Sequence, residues 1–196
     1  MPMWSPSNIR ALETTNVMPS HSGIVEDSLA VYRWVKQSVP KLRIIVGGRS
    51  LGTGIVMQLA EVFTETNGNP SGVVLEAPFN SLVEAAMRWP SGLPFRYLPL
   101  FRRLALPLQN QDTNFESEQK AGKLSALALV MHSKDDFFIP CDLDQKVLSR
   151  TRAERPPKLP PPVFHEVHNS VGPGHQRIHK DPRFLSVVSA FICSVV

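Results

Sequence analysis

The run Val46-Gly47-Gly48-Arg49-Ser50-Leu51-Gly52-Thr53-Gly54 constrains what this chain can fold into more than any other stretch of it. A short β-branched segment, Leu42–Val46, leads into it between Pro40 and Gly47-Gly48, and an apolar helical segment, Ile55–Phe63, leads out. Gly48-x-Ser50-x-Gly52 therefore lies on a sharp strand-to-helix turn. Backbone crowding there asks for small residues on both sides of the serine and lifts its hydroxyl above a sheet. The amides that open the helix, that of Leu51 first, point towards the place where an oxyanion would form. Two other glycine-loop chemistries are excluded. Gly52-Thr53 carries no lysine for a phosphate, and Met57 stands where a dinucleotide fingerprint needs its third glycine.

Further elements repeat the alternation. Gly23–Val39 reads as a helix, with Ile24, Leu29, Ala30, Val31, Trp34, Val35 and Val39 near helical spacing. Gly72–Glu76, Leu127–Met131 and Val163–Val167 read as buried strands, Asp142–Arg152 and Phe184–Val195 as helices. Strand and helix in turn predict an α/β domain with a mostly parallel sheet. Residues 1–22 form an irregular lead-in, and 23–196 one domain. An insert at 78–121 breaks the rhythm; Trp89, Phe95, Tyr97, Phe101 and Phe115 lie there among Arg88, Arg96, Arg102 and Arg103. Pro156–Pro162 is expected to be a stiff polyproline connection.

A serine hydroxyl needs a base, and the base an acid to orient it. Asp135-Asp136 follows the third strand and Gly172-Pro173-Gly174-His175 the fourth, so serine, acid and histidine occur in order at strand ends. Of the two aspartates, Asp136 is expected to be the acid, because Asp136-Phe137-Phe138-Ile139-Pro140 has the Asp-x-x-hydrophobic-Pro spacing; Asp135 would fix the loop. His175 is the expected base, following a glycine-rich loop and preceding the last helix, with His168 next in line and His165 packed within its strand. His165-Glu166-Val167-His168 is one residue short of a zinc-binding HExxH, and His175–His179 has Gln where that motif needs Glu, so neither a metal nor another cofactor is expected.

Composition narrows the partners. With 21 Lys+Arg against 17 Asp+Glu over 196 residues, the net charge of +4 forms no dense basic stripe, which argues against nucleic acid. No apolar run approaches the roughly 18–20 residues of a membrane span, and Met1–Arg10 has no apolar signal region. Cys141 and Cys193 form no CxxC pair and are expected to be buried and reduced, so the chain by itself reads as soluble and intracellular.

Gly23-Ile24-Val25-Glu26-Asp27, Gly48–Gly54, Asp135-Asp136 with Ile139-Pro140, and Gly174-His175 resemble the lysophosphatidylserine lipase and monoacylglycerol lipase group of α/β-hydrolases, as does Phe95-Arg96-Tyr97-Leu98-Pro99 with Phe101. The resemblance runs from about Gly23 to the C-terminus. It implies an α/β-hydrolase fold with helices on both faces of the sheet and a cap at 78–121. It also implies a serine lipase acting on lysophospholipids or monoacylglycerols, placed at the endoplasmic reticulum membrane. In that group a histidine usually precedes the nucleophile, where Arg49 stands here. The group also carries a membrane helix, earlier strands and a second oxyanion donor upstream of the helix at Gly23, so the resemblance implies an N-terminally truncated chain lacking the first strands. Leu42–Val46 would then be an exposed, aggregation-prone sheet edge, and activity would be impaired.

On this reading Ser50 is the nucleophile, His175 the base and then the acid, Asp136 the orienting carboxylate and the Leu51 N–H an oxyanion donor. Arg96, Arg102 and Arg103 are candidates for meeting an anionic headgroup, with the cap's aromatics at the acyl chain or the membrane surface. The alternatives are a serine peptidase on the same fold and a catalytically impaired isoform acting only as an interaction module.

Overall fold

The computed structural model describes residues 21–66, 68–88, 115–167 and 174–195. Its elements run α1 (His21–Ser38), β1 (Ile45–Arg49), α2 (Leu51–Glu65), β2 (Gly72–Glu76), α3 (Leu82–Arg88) and α4 (Ser117–Lys120), the last continuing as a 3-10 turn at Ala121–Lys123. There follow β3 (Leu127–Ser133), α5 (Cys141–Glu154), β4 (Val163–Val167), α6 (Gly174–Arg177) with a 3-10 turn at Ile178–Lys180, and α7 (Phe184–Val195). All strand pairs are parallel in the order β1-β2-β3-β4, with Val46 opposite Val73, Val74 opposite Leu129 and Met131 opposite His165.

A parallel sheet needs both faces covered, and the strand residues divide by parity to allow it. Val73, Leu75, Ala128 and Val130 pack on one face against Val56, Met57 and Ala60 of α2 and Val147 and Leu148 of α5. Leu129, Met131 and Val167 pack on the other face with Phe191 and Val195 of α7. At Gly72 an added Cβ would come within 3.0 Å of Val195 and 3.2 Å of Phe191, so the missing side chain is what lets α7 approach. These are the helices on both faces that the resemblance implies.

Several boundaries differ from expectation. The first strand is Ile45–Arg49, not Leu42–Val46, and Leu42 is exposed. The ladder, with Ser71 N donating to Ile44 O and Ser50 N to Glu76 O, carries the strand through Gly47-Gly48, where α2 supplies the packing that absent side chains cannot. Helix α2 begins at Leu51, directly on the turn, rather than at Ile55. In α1 the buried side chain is that of Tyr32, with Val25 and Leu29 packed near it, and Gly23 is buried as well, while Ala30 and Trp34 are exposed. Tyr32 Oη donates to Gly68 O at 2.7 Å, and its ring meets Phe63 at 4.5 Å. Cys193 is exposed and Cys141 half-buried, against the expectation that both are buried; α7 turns Phe191 and Val195 inward and Cys193 outward.

The stretch expected as an irregular insert contains helix α3, whose Ser81 Oγ accepts from the Glu84 N–H at 3.2 Å. Ser81-x-x-Glu84 is a capping-box signature that marks this start in the sequence. The lead-in, apart from its last residues, the central part of the expected cap with Arg96, Arg102 and Arg103, and His168 lie outside the described residues.

Candidate active site

Ser50 holds φ 49° and ψ −119° on the turn between β1 and α2. Such backbone costs a residue with a Cβ about 1–3 kcal/mol and persists only where its surroundings dictate it. They do so here: its N–H donates to Glu76 O at 2.9 Å, and its carbonyl accepts from Thr53 N at 2.9 Å and Thr53 Oγ1 at 2.6 Å. A Cβ on Gly48 would lie 2.6 Å from the carbonyl carbon of Gly52 and 2.9 Å from Thr53 N, and closer still to Gly52 O. Gly48 must therefore be glycine. A Cβ on Gly52 would meet nothing within 4 Å among the described residues. The requirement for smallness that the motif suggests on both sides of the serine thus holds on one.

The acid loop follows β3. Asp136, its side chain fully buried, accepts from the Phe138 and Ile139 N–H groups on Oδ1, each at 2.8 Å. Its Oδ2 lies 2.7 Å from His175 Nδ1. His175, on α6 after β4, brings Nε2 to 3.1 Å from Ser50 Oγ and its ring to 5.3 Å from that of Phe138. A carboxylate only accepts, so the proton belongs on Nδ1 and the Nε2 lone pair faces the serine hydroxyl. Burial would raise the Asp136 carboxyl, but hydrogen bonds from His132, His175 and the Ile139 N–H outweigh it and hold the group well below the usual carboxylate range. Asp135 accepts from Ser133 Oγ, and a Cβ at Gly174 would collide with both partners, so this pair and the histidine turn interlock.

The structure thus brings Ser50, Asp136 and His175 into one line, with Leu51 beside them as the first residue of α2, whose N–H belongs to a helical turn lacking intrahelical acceptors. A cleft of ≈ 190 Å³ opens there. Phe79, Leu82, Ala85, Ala86, Phe138 and Ile139 make it apolar, and Ser50 and His175 supply its polar groups. Leu82, Ala85 and Ala86 share one face of α3 by their i, i+3, i+4 spacing. His165 lies in β4 as expected, 3.4 Å from Asp181.

Two residues near this line carry no sequence signal of their own. Arg49 ends β1, its Nη2 donating to the main-chain carbonyl of His175 at 2.8 Å and its Nε 3.5 Å from Glu76 Oε1. It ties the serine's strand to the histidine's turn. His132, fully buried, lies between two carboxylates, Nε2 3.3 Å from Asp136 Oδ2 and Nδ1 3.0 Å from Asp144 Oδ2. Apolar neighbours in β3 make His132 look like a packed strand residue; only the fold brings Asp144 of α5 to it.

No family model matches the chain. It is 29% identical over 175 residues to the zebrafish (Danio rerio) lysophosphatidylserine lipase ABHD12, covering 89% of this chain and 46% of the relative. It is 27% identical over 177 residues to human (Homo sapiens) protein ABHD12B, covering 89% and 48%. The chain therefore spans about half the length of the curated relatives it matches. Among solved structures, the monoacylglycerol lipase of Paleococcus ferrophilus superposes with a TM-score of 0.56 at 14% identity, covering 90% of this chain and 75% of that one. That likeness shows an α/β-hydrolase fold, and in sequence the chain is similar to lysophosphatidylserine lipase ABHD12 and to protein ABHD12B.

Proposed function

We propose that this chain is a serine ester hydrolase that cleaves acyl esters of lysophospholipids or monoacylglycerols. The observation that carries the reading is the hydrogen-bonded line from Ser50 Oγ through His175 to Asp136, set against an apolar cleft. His175 Nε2 takes the hydroxyl proton as Ser50 Oγ attacks the ester carbonyl, and Asp136 stabilises the imidazolium that results. The carbonyl oxygen gathers charge beside the Leu51 N–H at the positive end of α2. His175 then gives its proton to the departing glycerol oxygen, leaving an acyl-serine. A water, deprotonated by the same histidine, releases the fatty acid. The cleft takes the acyl chain along the α3 face formed by Leu82, Ala85 and Ala86.

Similarity to lysophosphatidylserine lipases supports the substrate class, and an anionic headgroup would suit Arg96, Arg102 and Arg103 of the proposed cap. Contact of that cap with a membrane surface is part of the same reading. Among the described residues no helix is long and apolar enough to cross a membrane.

Labelling with a fluorophosphonate probe, with Ser50→Ala alongside, tests the reading. Labelling of the wild-type chain, abolished in the variant, is expected. Release of fatty acid from lysophosphatidylserine and monoacylglycerol should then exceed hydrolysis of matched amides. A folded wild-type chain that takes no label refutes the proposal, and preference for the amides would move it to a peptidase.

A further inference from the structure

Behind the Ser50–His175–Asp136 line lies a second pair of ionisable groups that the ester chemistry does not use. His132 and Asp144 have fully buried side chains, one on β3 and the other in the first turn of α5. The surroundings of His132 fix most of its protons. Nε2 faces two acceptors, the Ile139 carbonyl at 3.0 Å and Asp136 Oδ2 at 3.3 Å, so it must carry hydrogen. Nδ1 lies 3.0 Å from Asp144 Oδ2, without the alignment of a good hydrogen bond; facing lone pairs would repel in this buried site, which favours a proton on one of the two. Asp144 sits where the positive end of α5 favours an anion, which leaves that proton on the ring. The charge is then an imidazolium between two carboxylates, in contact with the oxygen of Asp136 that receives His175.

We propose that His132 is a positioning residue for catalysis: as an imidazolium anchored by Asp144, it holds the acid loop and limits the negative charge that Asp136 presents to His175. The proposal rests on the reading of Ser50, His175 and Asp136 as the reacting set. A bare buried carboxylate would draw the Nδ1 proton strongly and keep the histidine in its charged form, useless as a base. Sharing the Asp136 oxygen with a second donor weakens that pull while leaving the histidine oriented. Burial would lower the His132 ring, but its two carboxylate partners outweigh that and raise it to about 9. Other groups face it from each neighbouring element. Cys141 of α5 is pushed up to about 12, by burial first and then by nearby carboxylates, so it stays a neutral thiol donating to Ser133 O. Glu166 of β4 is its partner across the ladder. Nearest is Asp136 itself, with His175 beyond it.

Two measurements on the full chain test this. Imidazole nitrogen NMR of the wild-type protein at neutral pH should show both ring nitrogens of His132 protonated; a neutral ring overturns the proposal. The rate of Ser50 labelling by a fluorophosphonate is then followed against pH for the wild type and for His132→Gln/Asp144→Asn, in which two neutral amides replace the charged pair. The acid limb should move up by about one pH unit, a roughly tenfold loss of rate below it. The alkaline plateau should stay within about threefold, as Ser50, His175 and Asp136 are unchanged and a glutamine amide can still donate to the Asp136 carboxylate. A lowered plateau with an unmoved limb would make His132 a packing residue and overturn the proposal. If the wild type takes no label, the hydrolase reading fails and with it the catalytic role, while the NMR result still decides whether His132 is charged.

Discussion

Three glycines around the serine give a graded prediction from nearly identical substitutions. At Gly48 the atoms an added methyl would strike are all backbone, at 2.6 Å from the Gly52 carbonyl carbon and 2.9 Å from Thr53 N. Side-chain contacts normally begin near 3.4 Å, so strand and helix must part by somewhat under about 1 Å, and no rotamer change can absorb it. Overpacking of this kind costs about 1–3 kcal/mol and occasionally more, with the rigid partner here pointing to the upper end. For a chain of this size about 2–3 kcal/mol lowers the melting temperature by roughly 4–12 °C. The same displacement tilts Ser50 away from His175, and a shift of about 1 Å can cost about a hundredfold in rate. Gly47 and Gly52 meet nothing within 4 Å among the described residues. Gly47→Ala should be near neutral. Gly52→Ala, in the first turn of α2, should gain up to about 1 kcal/mol from helix propensity. The assay is thermal melting by circular dichroism with fluorophosphonate labelling of the same samples. Gly48→Ala that melts within a degree of wild type and labels at the same rate would refute the packing argument. Gly52→Ala as damaging as Gly48→Ala would show that α2 needs the smallness the motif suggests on both sides.

Arg49→Met removes the bond to the His175 carbonyl and the pairing with Glu76; Arg49 is about half exposed, so stability should change by under about 1 kcal/mol while labelling falls several-fold. Arg49→Lys should recover part of it, and an unchanged rate in the Met variant would remove Arg49 from the site. Ala86→Phe fills the cleft, so hydrolysis of p-nitrophenyl decanoate should fall about tenfold or more relative to the acetate; a parallel fall would place the acyl chain elsewhere. Stability should depend on pH at both ends. Asp136, held below its unfolded value, contributes above about pH 4 and loses that contribution as pH falls; His132, raised to about 9, contributes below about pH 6.5 and loses it as pH rises towards about 9. Melting temperatures measured from pH 6.5 to 9.5 should therefore decline in the wild type and less so in His132→Gln/Asp144→Asn; equal slopes would contradict the charge on His132.

What could be read from the sequence was whatever depends on local pattern. Gly72–Glu76 and Phe184–Val195 are bounded in the structure as their residues predict, since an apolar run between turn residues fixes both ends. Ser50, Asp136 and His175 each follow a strand and carry their own turn chemistry, and the structure brings them within hydrogen-bond distance of one another. Hydropathy points to Leu42 and puts β1 three residues early, whereas the ladder with β2 and the contact of α2 on Gly48 select Ile45–Arg49. Helix α3 was hidden by the prolines and aromatics after it, although Ser81 and Glu84 mark its start. Asp144 and Arg49 had no legible role because their partners, His132 and the carbonyl of His175, lie across the fold rather than along the chain.

Among the described strands β1 lies at one edge of the sheet, and it leads directly into Ser50. In a parallel pair each residue directs both main-chain groups to the same side. Ile44 O and Ser50 N face β2, so the amides and carbonyls of Ile45, Gly47 and Arg49 face away from it. Amide hydrogen exchange along this strand should then alternate, slow at Val46, Gly48 and Ser50 and fast at the residues between. Its slow positions should report the free energy of opening of one ladder rather than two, below that of β2 and β3. The serine's unfavourable backbone is restrained by that single ladder and by α2, so whatever lies along the outer side of β1 adds its hydrogen-bond energy to the stiffness of the turn. The backbone geometry of Ser50 is in this way tied to the pairing of β1.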